Sequence, residues 1–516
     1  MKLHRNRAAD TGAAEVRPEN VRPEDERLGI GRSFAYGAQH VLTMYGGIIA
    51  PPLIVGGAAG VPAAQLGVLV ASCLFIGGLA TILQSVGIPW FGSQLPLVQG
   101  TSFASVATLV AIVTQGGGLP AAFGSVMASA AIGLAITPFF SRIIRFFPPV
   151  VTGTVITTIG LSLMPVAANW AMGNNAKLPT YGSMENIALA GFTLLVVIVL
   201  SRSNVPAISR LSILFAIIIG TLVATAIGKA DFSKVADGPI VAVPEPFFFG
   251  GPVFTLAGVV SMTIVVLVIL TETTADILAV GEIVNTRVDR RRIGNGLRAD
   301  MGASLISPIF NGFTQSAFAQ NVGLVAITGV KSRFVVTAGG VILVVLGLLP
   351  VLGRVVAAVP YPVLGGAGLV LFGTVAASGI RTLARVNYQG NMNLVIVATS
   401  VGMGMIPIAA PEFWEHFPSW FQTIFHSGIS SAAITAVLLN LFFNHIRFAR
   451  QKPGSSVFAA ADRFISFDEV QAYSKLREGD HIEGGRIVDA DGKPLPVKQS
   501  DGKLVDVPIC SGPAEH

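Results

Sequence analysis

The sequence has very little cysteine and little charge. Its two cysteines are Cys73, inside an apolar run, and Cys510, near the C-terminus, so neither a disulfide nor a zinc site is expected. Asp, Glu, Lys and Arg make up 12% of the chain, against 52% hydrophobic residues and a mean hydropathy of +0.69. That balance excludes the set of soluble domains that length alone would suggest. There is no His/Cys metal spacing, no Gly-x-Ser-x-Gly elbow and no phosphate loop, so no catalytic constellation is apparent and no cofactor is implied. The first thirty or so residues are charged and lack an apolar core, so no cleavable signal peptide is expected.

What is present is a series of apolar windows long enough to span a bilayer, from about Ser33 to about Phe443. They read as roughly fourteen transmembrane segments, near 34–56, 63–84, 95–114, 119–140, 148–167, 185–201, 209–228, 254–281, 294–312, 313–330, 334–353, 363–379, 391–410 and 426–445. The expected fold is therefore an all-α polytopic membrane domain over 33–445, between a disordered polar tail at 1–32 and a second polar tail at 446–516. Within the second tail, 464–476 reads as a short surface helix. The net charge of +6 is then a topology signal rather than a sign of nucleic-acid binding. With the N-terminus in the cytoplasm, inside loops hold Arg142, Arg145, Arg202, Arg210, Arg287, Arg290, Arg291, Arg292, Arg298, Lys331, Arg333, Arg381 and Arg385. Outside loops hold only Lys177, Lys229, Lys234 and Arg354. Both termini are therefore expected inside, in the plasma (inner) membrane.

A long loop at 229–253 divides the segments into repeat one, 33–228, and repeat two, 254–445. The third segment of each repeat is short and interrupted. The first contains Leu95-Pro96-Leu97-Val98-Gln99-Gly100-Thr101-Ser102-Phe103, and the second contains Gln315-Ser316-Ala317-Phe318-Ala319-Gln320-Asn321. Such a matched pair points to a transporter site built from inverted repeats, and an odd number of segments per repeat requires the second to be inverted.

Several residues do not belong in lipid. Gln320 and Asn321 face protein, water or a ligand, or else bond neighbouring helices. Glu272 and Asp276, four apart, share one helix face beneath a ring of threonines. An intramembrane carboxylate points to function, although a structural bond to a neighbouring helix is the alternative. Asp300 is either a buried functional carboxylate or a cap at the membrane surface. His40 is either a structural donor or a proton carrier.

The motifs resemble the nucleobase–ascorbate transporter family, also called nucleobase:cation symporter-2. The run Gln320-Asn321-Val322-Gly323-Leu324-Val325-Ala326-Ile327-Thr328-Gly329 matches its signature in full. Gln39-His40, Gln99-Gly100-Thr101-Ser102-Phe103, Glu272 to Asp276 and the Gly-Leu-x-Ala-Asp run ending at Asp300 match further motifs in order, over roughly 30–445. The resemblance implies fourteen segments in two inverted repeats of seven, with short strands in segments three and ten. Segments one to four and eight to eleven would form a core subdomain and the others a gate. It also implies a homodimer through the gate, symport with protons rather than Na⁺, and a purine nucleobase as substrate.

By the same resemblance, Glu272 and Gln320 would hold the purine edge. Backbone groups of Phe103 and Ala319 would touch it, with Ser102 and Asn321 close by, and Phe103 would stack on the ring. Asp300, His40, Glu272 and Asp276 would carry the proton. Gln320, where uracil-type members carry Glu, favours xanthine or uric acid. The alternatives are a uracil or other nucleobase symporter, or an anion transporter of the same architecture. No Lys or Arg is expected near Glu272, which disfavours the anion reading.

Overall fold

A backbone in hydrocarbon must satisfy its own hydrogen bonds, so apolar runs become helices. The computed structural model describes residues 22–140, 144–389 and 392–445, together with short strands between 481 and 505. The helices in the first half are α1 (Ile30–Ala58), α2 (Ala63–Val86), α3 (Val106–Ile112), α4 (Gly118–Ile136), α5 (Pro149–Ser162), α6 (Met164–Met172), α7 (Met184–Ser201) and α8 (Ser212–Ala226). The second half contributes α9 (Leu256–Val284), α10 (Arg290–Ile306), α11 (Ala319–Thr328), α12 (Arg333–Gly347), α13 (Pro350–Ala357), α14 (Tyr361–Leu383), α15 (Met392–Ala409) and α16 (Gly428–Asn440). Strands β1 (Gln99–Thr101) and β2 (Gln315–Ala317) interrupt the two halves.

Among the described residues, nine helices are long and apolar enough to cross a membrane, or ten if α12 and α13, bent by 78°, form one span. The chain is thus an all-α, multi-pass membrane domain. The shortfall from fourteen has local causes. The stretches around β1 and β2 are strand followed by short helix. The region 103–139 passes as one span but is kinked at Gln115 and at Gly116, whose φ of 93° is non-helical. Helix α8 has 15 residues, and α10 carries Arg290, Arg291, Arg292, Arg298 and Asp300.

Small residues let the helices approach closely. Helix α12 lies along α2, where a Cβ on Gly78 would meet the Gly340 carbonyl at 2.6 Å. Helix α14 lies along α5, where a Cβ on Gly160 would meet the Ala376 amide at 2.2 Å. Packing separates the helices accordingly. Helices α1, α2, α4 and α9 to α13 contact mainly one another, and α5 to α8 with α14 to α16 form a second set. The loop at 229–253 is laid over helix ends: Ala242 N–H donates to the Leu348 carbonyl (3.1 Å), Asn311 Nδ2 to that of Glu245 (2.7 Å), and Val253 N–H to that of Pro120 (2.9 Å).

One expectation is corrected. The 1–32 tail is not disordered throughout, because its last part is docked. Glu24, fully buried, pairs with Arg292 Nη2 at 2.5 Å and accepts from Thr286 Oγ1 at 3.1 Å. Arg292 also donates to the carbonyls of Ser93 (2.6 Å) and Gln94 (2.8 Å). Asp25 accepts from Arg333 Nε at 2.6 Å, and Arg333 caps the carbonyls of Ser85 and Val86, both at 2.8 Å. A charged stretch reads as solvated until its partners are known, and these lie far along the chain. Residues 1–21 lie outside the described residues.

By contact, residues from Phe458 onward form a separate unit. In it, His481–Glu483 pairs antiparallel with Arg486–Val488, and Val497–Lys498 with Leu504–Val505. The expected helix at 464–476 lies outside the described residues.

Candidate functional site

Strands β1 and β2 pair antiparallel, with Gln99 opposite Ala317, Gly100 opposite Ser316 and Thr101 opposite Gln315. Two further bonds extend the pairing, from Ser102 N–H to the Thr314 carbonyl (2.8 Å) and from Phe318 N–H to that of Val98 (3.1 Å). Each strand is held from behind by a hydroxyl. Thr81 Oγ1 of α2 accepts from Gln99 N–H at 2.9 Å, and Ser304 Oγ of α10 accepts from Gln315 N–H at 2.8 Å. Gly100 is required at the crossing, because a Cβ there would meet the Phe318 ring at 2.7 Å. A helical segment begins directly after each strand. Phe318, the N-cap of α11, offers no side-chain cap; its carbonyl accepts from Asn321 N–H at 2.9 Å, and the amides of Ala319 and Gln320 ahead of it lack a side-chain cap.

Beside this crossing lies a cavity of about 660 Å³. Six of the residues singled out in the sequence line it: Ser102, Phe103, Glu272, Asp276, Ala319 and Gln320. Glu272 is half-buried and Gln320 is exposed to the cavity, and neither side chain has a protein partner among the described residues. Phe103 forms one wall and meets Phe372 edge-on, with ring centroids 6.1 Å apart. Asp276 is buried, and its Oδ2 has no partner among the described residues. A carboxylate, an amide and an aromatic face lining one cavity can hold a planar heterocycle by its polar edge and its face.

The other three candidates stand behind the wall. Asn321 is fully buried, and its Nδ2 lies 3.1 Å from both Nδ1 and the carbonyl of His40. This fixes α11 to α1. Asp300 is fully buried, and Thr273 Oγ1 donates to its Oδ2 at 2.6 Å. The same hydroxyl oxygen accepts from Ala317 N–H at 3.4 Å, so Asp300 reaches β2 through one side chain.

Two expectations about the surroundings of Glu272 change. The threonines do not form a polar ring about it. Thr271 and Thr274 donate to the carbonyls of Leu267 and Leu270 one turn back, and Thr273 is committed to Asp300. A cation is also nearby: Arg381 and Arg385 line the same cavity. In the sequence both are loop charges. The missed signal is a polar stripe at helical spacing on α14, Thr374, Ser378 and Arg381, continuing to Arg385 just past its end. Phe318 also lines the cavity, and a lone aromatic in an apolar run reads in the sequence as packing.

A transmembrane helix assembly with a strand crossing beside a polar cavity has known counterparts. The transmembrane domain of a cyanobacterial bicarbonate transporter, BicA, matches with a TM-score of 0.54 at 16% identity, over 80% of this chain and 99% of that one. The overall structure of SLC26A9 matches with a TM-score of 0.55 at 12% identity, over 81% and 67% respectively. At these identities the likeness concerns the fold alone. In sequence, the chain is 40% identical over 418 residues to the xanthine permease of Bacillus subtilis, covering 81% of this chain and 95% of that protein. It is 38% identical over 471 residues to the uric acid transporter UacT of Escherichia coli, covering 90% and 97%. It is 39% identical over 415 residues to the uric acid permease PucJ of B. subtilis, covering 80% and 92%.

Fold and relatives together define a multi-pass membrane permease and not an enzyme. The profile of a "Permease family", that of the xanthine and uracil permeases, matches residues 31–413, and the chain belongs to that family.

Proposed function

We propose that the chain is a proton-coupled symporter of purine nucleobases, xanthine or uric acid, working by alternating access in the plasma membrane. The observation that carries this reading is the pair Glu272 and Gln320. They face one cavity beside the β1–β2 crossing, and their side chains have no partner among the described residues. An oxopurine offers ring N–H groups to Glu272 and both a carbonyl and an N–H to Gln320, with Phe103 against its face.

The architecture in this proposal is fourteen segments in two inverted repeats. It is supported by the matched supports Thr81 and Ser304, each on the second segment of its repeat and each holding the strand of the third. The set α1 to α4 and α9 to α13 acts as core and the other set as gate, with the cavity between them and a homodimer formed through the gate. Both termini are cytoplasmic. A carboxylate cannot be carried across a rocking interface cheaply unless substrate or a proton neutralises it. The Glu272, Asp276 and Asp300 group, with His40 linked through Asn321, serves as that switch in this proposal. Uptake of labelled xanthine, urate, guanine and uracil into cells expressing the protein tests the reading. Saturable, protonophore-sensitive uptake of xanthine or urate is expected, and uptake of none of the four would refute it.

A further inference from the structure

A second pocket, of about 810 Å³, shares no lining residue with the first. It opens where α9 ends and α10 begins, against the loop 87–94 that leads into β1. Four arginines line it, Arg22, Arg287, Arg291 and Arg292, against one acid, Asp289. Asp289 is occupied in capping α10, its Oδ1 accepting from Arg292 N–H at 2.7 Å. Arg292 is held by Glu24 and Arg22 by Asp25. Arg287 and Arg291 are different. Both are exposed, and neither side chain has a hydrogen-bond or ion-pair partner among the described residues. Ser93 lines the same pocket, fully buried, with an Oγ that has no partner among the described residues.

The rim carries a second, independent feature. Ile88-Pro89-Trp90-Phe91 is a tight turn closed by Phe91 N–H on the Ile88 carbonyl at 3.0 Å. Proline suits its second position. Its third has φ 69°, the place that glycine normally fills, yet the residue is Trp90. The ring is 68% exposed and stands beside Ile88, which is 56% exposed. An indole held out of the protein at a strained position, next to unpaired guanidiniums, suits a ligand that is apolar at one end and anionic at the other.

We propose that this pocket is a second binding site, for a phosphate-bearing anion. Of the two sources of such a group, we assign the headgroup of an anionic phospholipid. Arg287, Arg291 and Ser93 Oγ take the phosphate, and Trp90 and Ile88 lie against the glycerol and upper acyl chain. Its assignment to the inner leaflet rests on the orientation proposed above; its chemistry does not. The site joins the end of the helix bearing Glu272 and Asp276 to the start of the helix bearing Asp300 and to the loop entering β1. Occupancy therefore braces the three elements that carry the transport site.

The test uses the purified full-length protein in detergent, reading the thermal unfolding midpoint during titration with phosphatidylglycerol, phosphatidylcholine or inorganic phosphate. Phosphatidylglycerol is expected to raise the midpoint while phosphatidylcholine does not. Arg287→Ala and Arg291→Ala are each expected to weaken that effect about fivefold. Trp90→Gly, which suits the turn and should fold at least as well, is expected to weaken the lipid effect alone. An equal arginine-dependent shift with inorganic phosphate would confirm the anion site and refute the lipid source. An equal shift in the wild type and the double arginine variant, or no shift with any anion, would overturn the proposal.

Discussion

Thr273 and Asp300 stand on neighbouring helices and share a hydrogen bond of 2.6 Å in a fully buried setting. Through the same hydroxyl, Asp300 is tied to the backbone of β2 at Ala317. The carboxylate is thus linked to β2 without lining the cavity. Asp300→Asn keeps the shape and one acceptor but removes the charge. Concentrative uptake should be lost while xanthine or urate binding stays within a few-fold of wild type, as read by calorimetry or substrate-induced thermal shift. Loss of binding together with transport would give Asp300 a purely structural role.

Glu272 faces the cavity without a partner among the described residues, so its loss should be felt mainly by the ligand. Glu272→Gln should remove a charge-assisted bond worth roughly 1.5–3 kcal/mol, about ten- to hundredfold in affinity. Gln320→Glu should shift preference away from xanthine. Competition of labelled xanthine by a panel of bases measures both effects.

Arg381 and Arg385 supply a positive charge to a cavity that otherwise carries carboxylates. Urate is an anion at neutral pH, whereas xanthine is largely neutral. Both arginines are exposed, so solvent screens their effect. Arg381→Gln should weaken urate binding about two- to fivefold and leave xanthine nearly unchanged. Equal loss for both bases would show that the arginine serves packing or gating instead.

Asp25 gives the docked N-terminal segment a pH dependence. Burial alone would raise its pKa, but the hydrogen bond and charge of Arg333, with Arg22 adding to them, outweigh burial and hold the carboxyl below its ordinary 3.8. A carboxylate whose folded pKa is depressed contributes stability that is present above the unfolded pKa and lost as pH falls through the folded one. Asp25→Asn should therefore lower the unfolding midpoint at pH 7. The difference from wild type should shrink once the pH drops below about 4 and should vanish when both states are protonated.

Orientation is testable by chemistry from one side. In a background lacking Cys73 and Cys510, a cysteine at position 290 should resist an impermeant maleimide applied to intact cells, and one in the 229–253 loop should react. The reverse pattern would invert the topology.

Much of the site could be read before any coordinates. Glu272 and Asp276 are conspicuous because charge in an apolar run is costly. Leu95-Pro96 and Gln320-Asn321 mark two broken segments by the same logic, and the structure makes both of them strand and short helix. Arg381 and Arg385 were hidden for the opposite reason: at a helix end they obey the positive-inside rule and excite no suspicion. The threonines around Glu272 misled because composition does not show which way a hydroxyl turns. In a helix it commonly turns to its own backbone. Glu24 and Asp25 were illegible in principle, since the arginines that order them are distant in sequence.

The three-residue register between β1 and β2 also governs the order of assembly. A strand of three residues has too few hydrogen bonds to persist alone. Gln99–Thr101 therefore has no fixed geometry until Gln315–Ala317 has left the ribosome and entered the bilayer. For much of its synthesis the nascent chain is a partial helical bundle holding an unfinished polar seam at membrane depth. Water, the insertion machinery or a neighbouring chain must shelter that seam. Defects that delay or misplace β2 should therefore show first as failed biogenesis, before any weakness in transport can be measured.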